Sequence, residues 1–191
     1  MAANSLTFRL ATPDDAVPLA DLINAAFRVD PTTHVFLTAD RSSISVVDAP
    51  TILAMITNPA YALLVAADPA ALADAPLVAH CSVRKANDSD GRRCAWFGLL
   101  AVDEGCRGRG FGVQSVTAVE DHARRELGAR RMEFDVVGTR VDLVAWYERR
   151  GYRTMGEQKP FPYQYHKDWQ GVLRDDLYFV TMGKDLEDAS T

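Results

Sequence analysis

The chain has few cysteines, no long apolar run and no excess of positive charge, and each shortage removes a class of protein. Its three cysteines, Cys81, Cys94 and Cys106, form neither a CxxC pair nor a Cys/His set at metal spacing, so no disulfide framework and no metal site is expected. Sparse, odd-numbered thiols suit a reduced, cytoplasmic compartment. No apolar stretch approaches the roughly 18–20 residues that span a bilayer, and no basic segment followed by an apolar one opens the chain, so neither membrane insertion nor a secretion signal is expected. The net charge of −5 argues against a nucleic-acid partner. The arginine pairs at 92–93, 124–125, 130–131 and 149–150 are scattered and read as solvated faces rather than a basic stripe.

What is present is ordinary globular composition, 48% hydrophobic and 25% charged, over 191 residues, which is enough for one domain with a sizeable core. One domain over 1–191 is expected, its core running from about 6 to 184, with fraying at both ends. Thr7 to Leu10 reads as a short strand. Thr12-Pro13-Asp14-Asp15 reads as a helix start, with Thr12 as N-cap and acids in the first turn. Apolar residues continue at helical spacing to Phe27, with Pro18 bending or delaying the helix. A short helix is expected around His34 to Ala39, and another over Ala49 to Thr57, closed by Asn58-Pro59. Tyr61 to Ala67, Leu77 to Lys85 and Cys94 to Val102 read as strands, with a small-residue connector from Pro69 to Pro76. A helix over Gly110 to Leu127, a strand over Arg131 to Val137 and a helix over Val141 to Arg150 follow. Gly156 to Trp169 is read as irregular, and Leu177 to Met182 as a closing strand. This order predicts a mixed sheet with helices on its faces.

The chemistry concentrates where the strand ending at Val102 passes through a short loop into a helix. Arg107-Gly-Arg-Gly-Phe-Gly112 occupies that junction. Glycines let a ligand approach the backbone, and the first helical N–H groups are unpaired at the positive end of the helix dipole. Together they suit an anion such as a pyrophosphate. No P-loop run occurs. A dinucleotide fingerprint would take Gly108 and Gly110 but finds Val113 at its third glycine; Asp135 stands where a ribose-binding acid would be sought, yet too little chain follows for a doubly wound sheet.

Arg107-Gly-Arg-Gly-Phe-Gly112 resembles the acetyl-CoA motif of the GNAT N-acetyltransferases, Gln/Arg-x-x-Gly-x-Gly/Ala. Trp146-Tyr-Glu-Arg-Arg-Gly-Tyr152 resembles that family's closing motif. The resemblance runs in element order from Phe8 to about Met182 and is specific from Gly98 to Gly156. It implies an α/β (α+β layered) fold, with a central mixed, mostly antiparallel twisted sheet flanked by helices. It also implies acetyl-CoA as the acyl donor and an amine as acceptor. By resemblance, Leu100, Ala101 and Val102 pair with the pantetheine arm and supply an oxyanion donor. Arg107, Gly108, Arg109, Gly110, Phe111 and Gly112 hold the pyrophosphate, and Tyr147 protonates the departing thiolate. The sequence departs from the pattern at Arg140, where many relatives carry an Asn that contacts the cofactor. There the contact is lost or Arg140 reaches a phosphate instead. Asp103-Glu104-Gly105 replaces a common Pro. Relatives often dimerise, so a homodimer is compatible, although no residue points to one.

No general base is legible. Ala95, Trp96 and Phe97 lack the Glu that some relatives use, while Glu133, Asp135 and His80 each read first as structural. By resemblance the acceptor pocket falls between Val29–Phe36 and Lys159–Trp169, where Asp30, His34, His166 and Asp168 are the polar groups. The aromatic 159–169 segment serves equally well as a lid or as a loop packed on the sheet. A small-molecule amine is the leading acceptor. A protein or peptide acetyltransferase, an idle acyl-CoA-binding module and, more distantly, a nicotinamide enzyme are the alternatives.

Overall fold

Residues 5–28, 45–68, 76–87, 91, 93–165 and 174–186 are described by a computed structural model of the chain. The strands are β1 (Arg9–Leu10), β2 (Tyr61–Ala67), β3 (Leu77–Asn87), β4 (Arg93–Val102), β5 (Arg131–Val137), β6 (Arg153–Pro160) and β7 (Tyr178–Asp185). They form one sheet in the order β1-β2-β3-β4-β5-β7-β6. Every neighbouring pair is antiparallel except β4 and β5, which run parallel. The expected mixed, mostly antiparallel sheet is therefore the one formed, and a doubly wound parallel sheet is not.

Among the described residues, four helices cover it: α1 (Ala16–Arg28), α2 (Ala49–Thr57), α3 (Phe111–Arg125) and α4 (Val141–Glu148). On one face, Leu19 and Ile23 of α1 and Ile52 of α2 pack on Leu63, Val65 and Ala101. On the other, Val116, Val119 and Ala123 of α3 and Tyr147 of α4 pack on Cys81, Val83, Phe97 and Phe134. Each such fully buried aliphatic side chain contributes roughly 1.5–3 kcal/mol. Strand β5 shows the governing period of two: Met132, Phe134 and Val136 are buried under α3 and α4, while the alternating Glu133 and Asp135 face the other side.

Local chemistry sets the element ends. Pro13 to Asp15 form a single tight turn before α1, and the Asp15 carboxylate accepts from the Thr12 backbone at 2.7 Å and from Arg9 at 2.6 Å. Pro18 then sits in the first turn of α1, where its missing N–H has no intrahelical partner to lose, and the α-helix proper begins at Ala16 rather than at Pro13. Gly151, at φ 86°, ends α4 earlier than the sequence suggests. The irregular reading from Gly156 is corrected in part: Arg153–Pro160 is strand β6, paired to β7. It is an exposed edge strand interrupted at Gly156 by a register shift, so it carries neither an apolar run nor an alternating pattern. The helix expected around His34 to Ala39, and all of the Pro69–Pro76 connector except Pro76, lie outside the described residues. Among the described residues, no helix is long and apolar enough to cross a membrane.

Candidate active site

The site begins where the sheet forks. Strands β4 and β5 are paired only at Cys94↔Arg131, Ala95↔Met132 and Trp96↔Glu133. Beyond that point β4 stays with β3 as far as Val102, and β5 stays with β7 as far as Val137. The two strands separate, so among the described residues no strand lies beside one flank of β4 from Phe97 to Val102. The open flank is about 17 Å long at ~3.3 Å per residue. Its backbone groups can pair with an extended amide-bearing ligand.

A bulge shapes this flank. The β3–β4 register jumps from Ser82↔Gly98 to His80↔Ala101, so Leu99 and Leu100 together oppose Cys81. Leu99 takes φ +50°, a strained value for a branched residue. Bulges re-aim side chains next to sites. Here Leu99 turns toward α1 and α2, while Leu100 turns toward α3 and α4.

At the far end of the flank the loop is tightly anchored. Asp103 donates its N–H to Val78 and accepts from Gly105, both at 2.9 Å. Cys106 and Phe111 are buried together with Leu6, Val78 and Ala79. The N–H groups of Arg107, Arg109, Val113 and Gln114 are taken by loop carbonyls. Among the described residues, those of Gly108, Gly110, Phe111 and Gly112 meet no acceptor. Gly108 and Gly110 sit at φ 78° and 80°, where a Cβ on either would meet nothing within 4 Å. The result is a cradle of open amides at the start of α3, with room in front of it.

The two arginines of the loop differ. Arg109 is committed: it pairs with Asp68 at 2.6 and 3.1 Å and lies 4.5 Å over the Phe111 ring, tying the loop to the end of β2. Arg107 is exposed and has no carboxylate partner among the described residues.

Tyr147 stands at the fork itself. Its ring lies 4.5 Å from Phe134 and 6.2 Å from Phe97, the first residues beyond the last β4–β5 pair. Burial pushes its phenol well above the ordinary value, an effect that the nearby Arg150 and Arg140 partly offset. Its hydroxyl has no hydrogen-bond partner among the described residues. Trp146, by contrast, packs: a Cβ at Gly112 would lie 3.5 Å from its ring, and Arg150 stacks 3.4 Å from its centroid. Arg140 begins α4, and Asp142 holds its guanidinium at 3.0 and 2.9 Å. Tyr152 of the closing motif is buried and donates to Glu120 at 2.8 Å, so its role is to lock α4 to α3.

On the opposite face, beside the bulge, lies a cavity of about 160 Å³ lined by Tyr61, Ser82, Arg84, Trp96, Gly98 and Leu99. Sequence reading missed it, because its residues come from three strands and, through Met55, from α2, and share no motif. Of the acceptor segments expected from sequence, 29–36 lies outside the described residues, as do His166 and Asp168. The described part of the other segment, Phe161 and Tyr163, packs with Leu177, Phe179 and Val137 as a loop on the sheet. Glu133 and Asp135 face the cavity's side of the sheet, and both are paired. Glu133 accepts from Arg131 at 2.8 Å, and Asp135 accepts from Lys159 at 3.0 Å and Thr181 at 2.7 Å. His80 is fully buried, held by the Leu64 carbonyl at 2.9 Å, and burial lowers it to about 4.

The model of the acetyltransferase (GNAT) family matches residues 26–152. No curated protein matches the chain in sequence. Solved structures match it over nearly its whole length. The yncA protein of Salmonella typhimurium, solved with its cofactor acetyl-CoA, is 16% identical at a TM-score of 0.65, covering 98% of this chain and 97% of that one. Ribosomal-protein-alanine N-acetyltransferase from Brucella melitensis is 18% identical at 0.65, covering 95% and 100%. NAA60 of Arabidopsis thaliana, in complex with a bisubstrate analogue, is 12% identical at 0.69, covering 96% and 100%. At such identities the likeness is one of fold.

Proposed function

Because the chain belongs to the acetyltransferase (GNAT) family, we propose that it transfers an acetyl group from acetyl-CoA to a primary amine of a small molecule, by direct attack with both substrates bound. Family membership makes it an acetyl-CoA-dependent acetyltransferase; the acceptor class and the residue roles are our reading. One observation carries it: an unpaired strand flank leads from a fork straight to a cradle of open amides at a helix N-terminus. A ligand with a thioester at one end, an amide-bearing arm and a pyrophosphate at the other fits that line.

In this reading Leu100, Ala101 and Val102 pair their backbone with the arm, and an N–H there holds the charge that develops on the carbonyl oxygen. Gly108, Gly110, Phe111 and Gly112 hold the pyrophosphate, with Arg107 adding charge. Arg109 acts indirectly, by fixing the loop to Asp68. Acetyl-CoA, when bound, supplies a thioester already activated toward an amine. Tyr147 offers its proton to the departing sulfur. Its raised value keeps it protonated across the working range, so it serves as a hydrogen-bond donor more than as a strong acid. Arg140, close enough to act on the Tyr147 phenol, contributes positive charge at that end. Tyr147 lies on the α3/α4 face and the cavity on the α1/α2 face. An amine entering from the cavity would therefore add to the carbonyl from the side of the sheet away from Tyr147, the thiolate leaving as the tetrahedral oxyanion collapses, and positioning supplies much of the rate. An amine with a pKa near ~10.4 must also lose a proton. Glu133 and Asp135 are the carboxylates on that face, and water can relay through them.

A recess of about 160 Å³ beside the bulge accommodates the amine-bearing end of a small acceptor, which supports the reading. Thiol release from acetyl-CoA with a panel of small amines and N-terminal peptides is the test. Release with small amines supports the reading. Release with peptides alone would make the chain a protein acetyltransferase, and cofactor binding without release would make it an idle module.

A further inference from the structure

On the cavity's face, Arg84 is a cation that no carboxylate among the described residues answers. Of the basic side chains around it, Arg131 pairs with Glu133 and Asp185, and Lys159 pairs with Asp135. Arg84 lines the cavity half-buried and pairs with no carboxylate among the described residues; its guanidinium lies 5.5 Å over the Trp96 ring. A guanidinium laid against an indole keeps its planar fork of N–H donors directed outward, a geometry that matches an oxyanion two bonds at a time. Tyr61 and Ser82 add neutral hydrogen-bonding groups on the same wall. Gly98 leaves the floor open, and Leu99 joins the cavity to the bulge that starts the open flank of β4.

The carboxylates lie on the other side. Glu133 is in register with Trp96, and Asp135 follows on the same face of β5. The cavity thus has Arg84 toward β3, an indole that Lys159 also approaches at 5.5 Å, and, toward β5 and the fork, carboxylates already paired with Arg131 and Lys159. Its volume of about 160 Å³, open to solvent on one side, takes in the small polar end of a ligand. We propose that the acceptor is a small amino-acid-like amine whose own carboxylate is bound by Arg84, leaving its amine directed to the fork. The inference rests on the acetyltransferase reading above and deepens it.

The test compares common α-, β- and γ-amino acids with their own carboxamides as acceptors, by thiol release from acetyl-CoA. It uses the whole chain and its Arg84→Ala and Arg84→Lys variants, with the acetyl-CoA-induced rise in Tm read on each. At least one amino acid is expected to exceed its amide in kcat/KM by roughly 10- to 100-fold, the range of a hydrogen bond to a charged group. Arg84→Ala should raise the KM of that acid by a similar factor and erase the discrimination. Arg84→Lys should keep part of it, and both variants should still be stabilised by acetyl-CoA. Amides turned over as well as acids, a ratio unchanged in Arg84→Ala, or stabilisation by acetyl-CoA with no amino acid acetylated would each overturn the inference. No stabilisation and no thiol release with any amine would instead remove the acetyltransferase reading beneath it.

Discussion

Tyr147 reaches the fork without a hydrogen-bond partner among the described residues, its ring against those of Phe97, Phe134, Trp146 and Tyr152. Tyr147→Phe should therefore fold normally and bind acetyl-CoA almost unchanged, while kcat falls on the order of 10²-fold. Steady-state thiol release and the acetyl-CoA Tm shift separate the two effects, and full turnover would return Tyr147 to a packing role. His80 gives a different prediction. Its value falls from the ordinary 6.5 to about 4 because burial disfavours the charged ring. Between those pH values the unfolded state binds the proton and the folded state does not. Stability is thus intact above 6.5 and is lost as pH falls toward 4, by ~3 kcal/mol in all. Urea unfolding of wild type and His80→Gln across this window should show the wild type declining more steeply. The comparison is one of slopes, so a uniformly weaker variant still reports. Equal slopes would mean that His80 does not titrate this way.

Two glycines separate ligand space from packing space at the level of elements. Gly110, the N-cap of α3, has φ 80° and open space before it. Gly110→Val should cost about 1–2 kcal/mol for the left-handed backbone and remove CoA binding while the protein stays folded. Gly138 follows β5, and a Cβ there would fall 2.0 Å from the Tyr178 ring. Gly138→Ala should cost about 1–3 kcal/mol in urea unfolding as the ring is displaced. Unchanged CoA affinity in the first variant would remove the amide cradle from the account, and unchanged stability in the second would contradict the β5–β7 packing. What the sequence made legible at this scale follows from pattern strength. Ala49–Thr57, Tyr61–Ala67 and Arg131–Val137 were readable to the residue, because each is an apolar run or alternation bounded by proline, glycine or charge. Strand β6 was not readable: Arg153-Thr-Met-Gly-Glu-Gln-Lys-Pro160 is exposed along its length, and its pairing comes from β7 rather than from its own composition. Nor was the bulge, since Leu99 and Leu100 look like any other apolar pair until the partner strand sets the register.

Across the whole molecule, the proposed reaction divides between the two faces of the sheet. The proposed cofactor half is contiguous in sequence: one strand, one loop and one helix start supply nearly all of it. The proposed acceptor half is not, because Tyr61, Arg84 and Trp96 meet only when β2, β3 and β4 lie side by side. Arg109 shows the same limit on a smaller scale. Its place in the motif suggested a phosphate ligand, yet folding brings it to Asp68, distant in sequence. We infer that the open flank of β4 and the amides of α3 together form an acetyl-CoA site. Thermal unfolding with acetyl-CoA, CoA and NAD, on wild type and on Gly110→Val, tests it most directly. At about a hundred times Kd a ligand bound only by the folded state adds about 2.7 kcal/mol, which for a chain of this size raises Tm by about 5–10 °C. The predicted result is such a rise with acetyl-CoA and CoA, none with NAD, and none in Gly110→Val. No rise in the wild type at high concentration, or an equal rise in the variant, would contradict it.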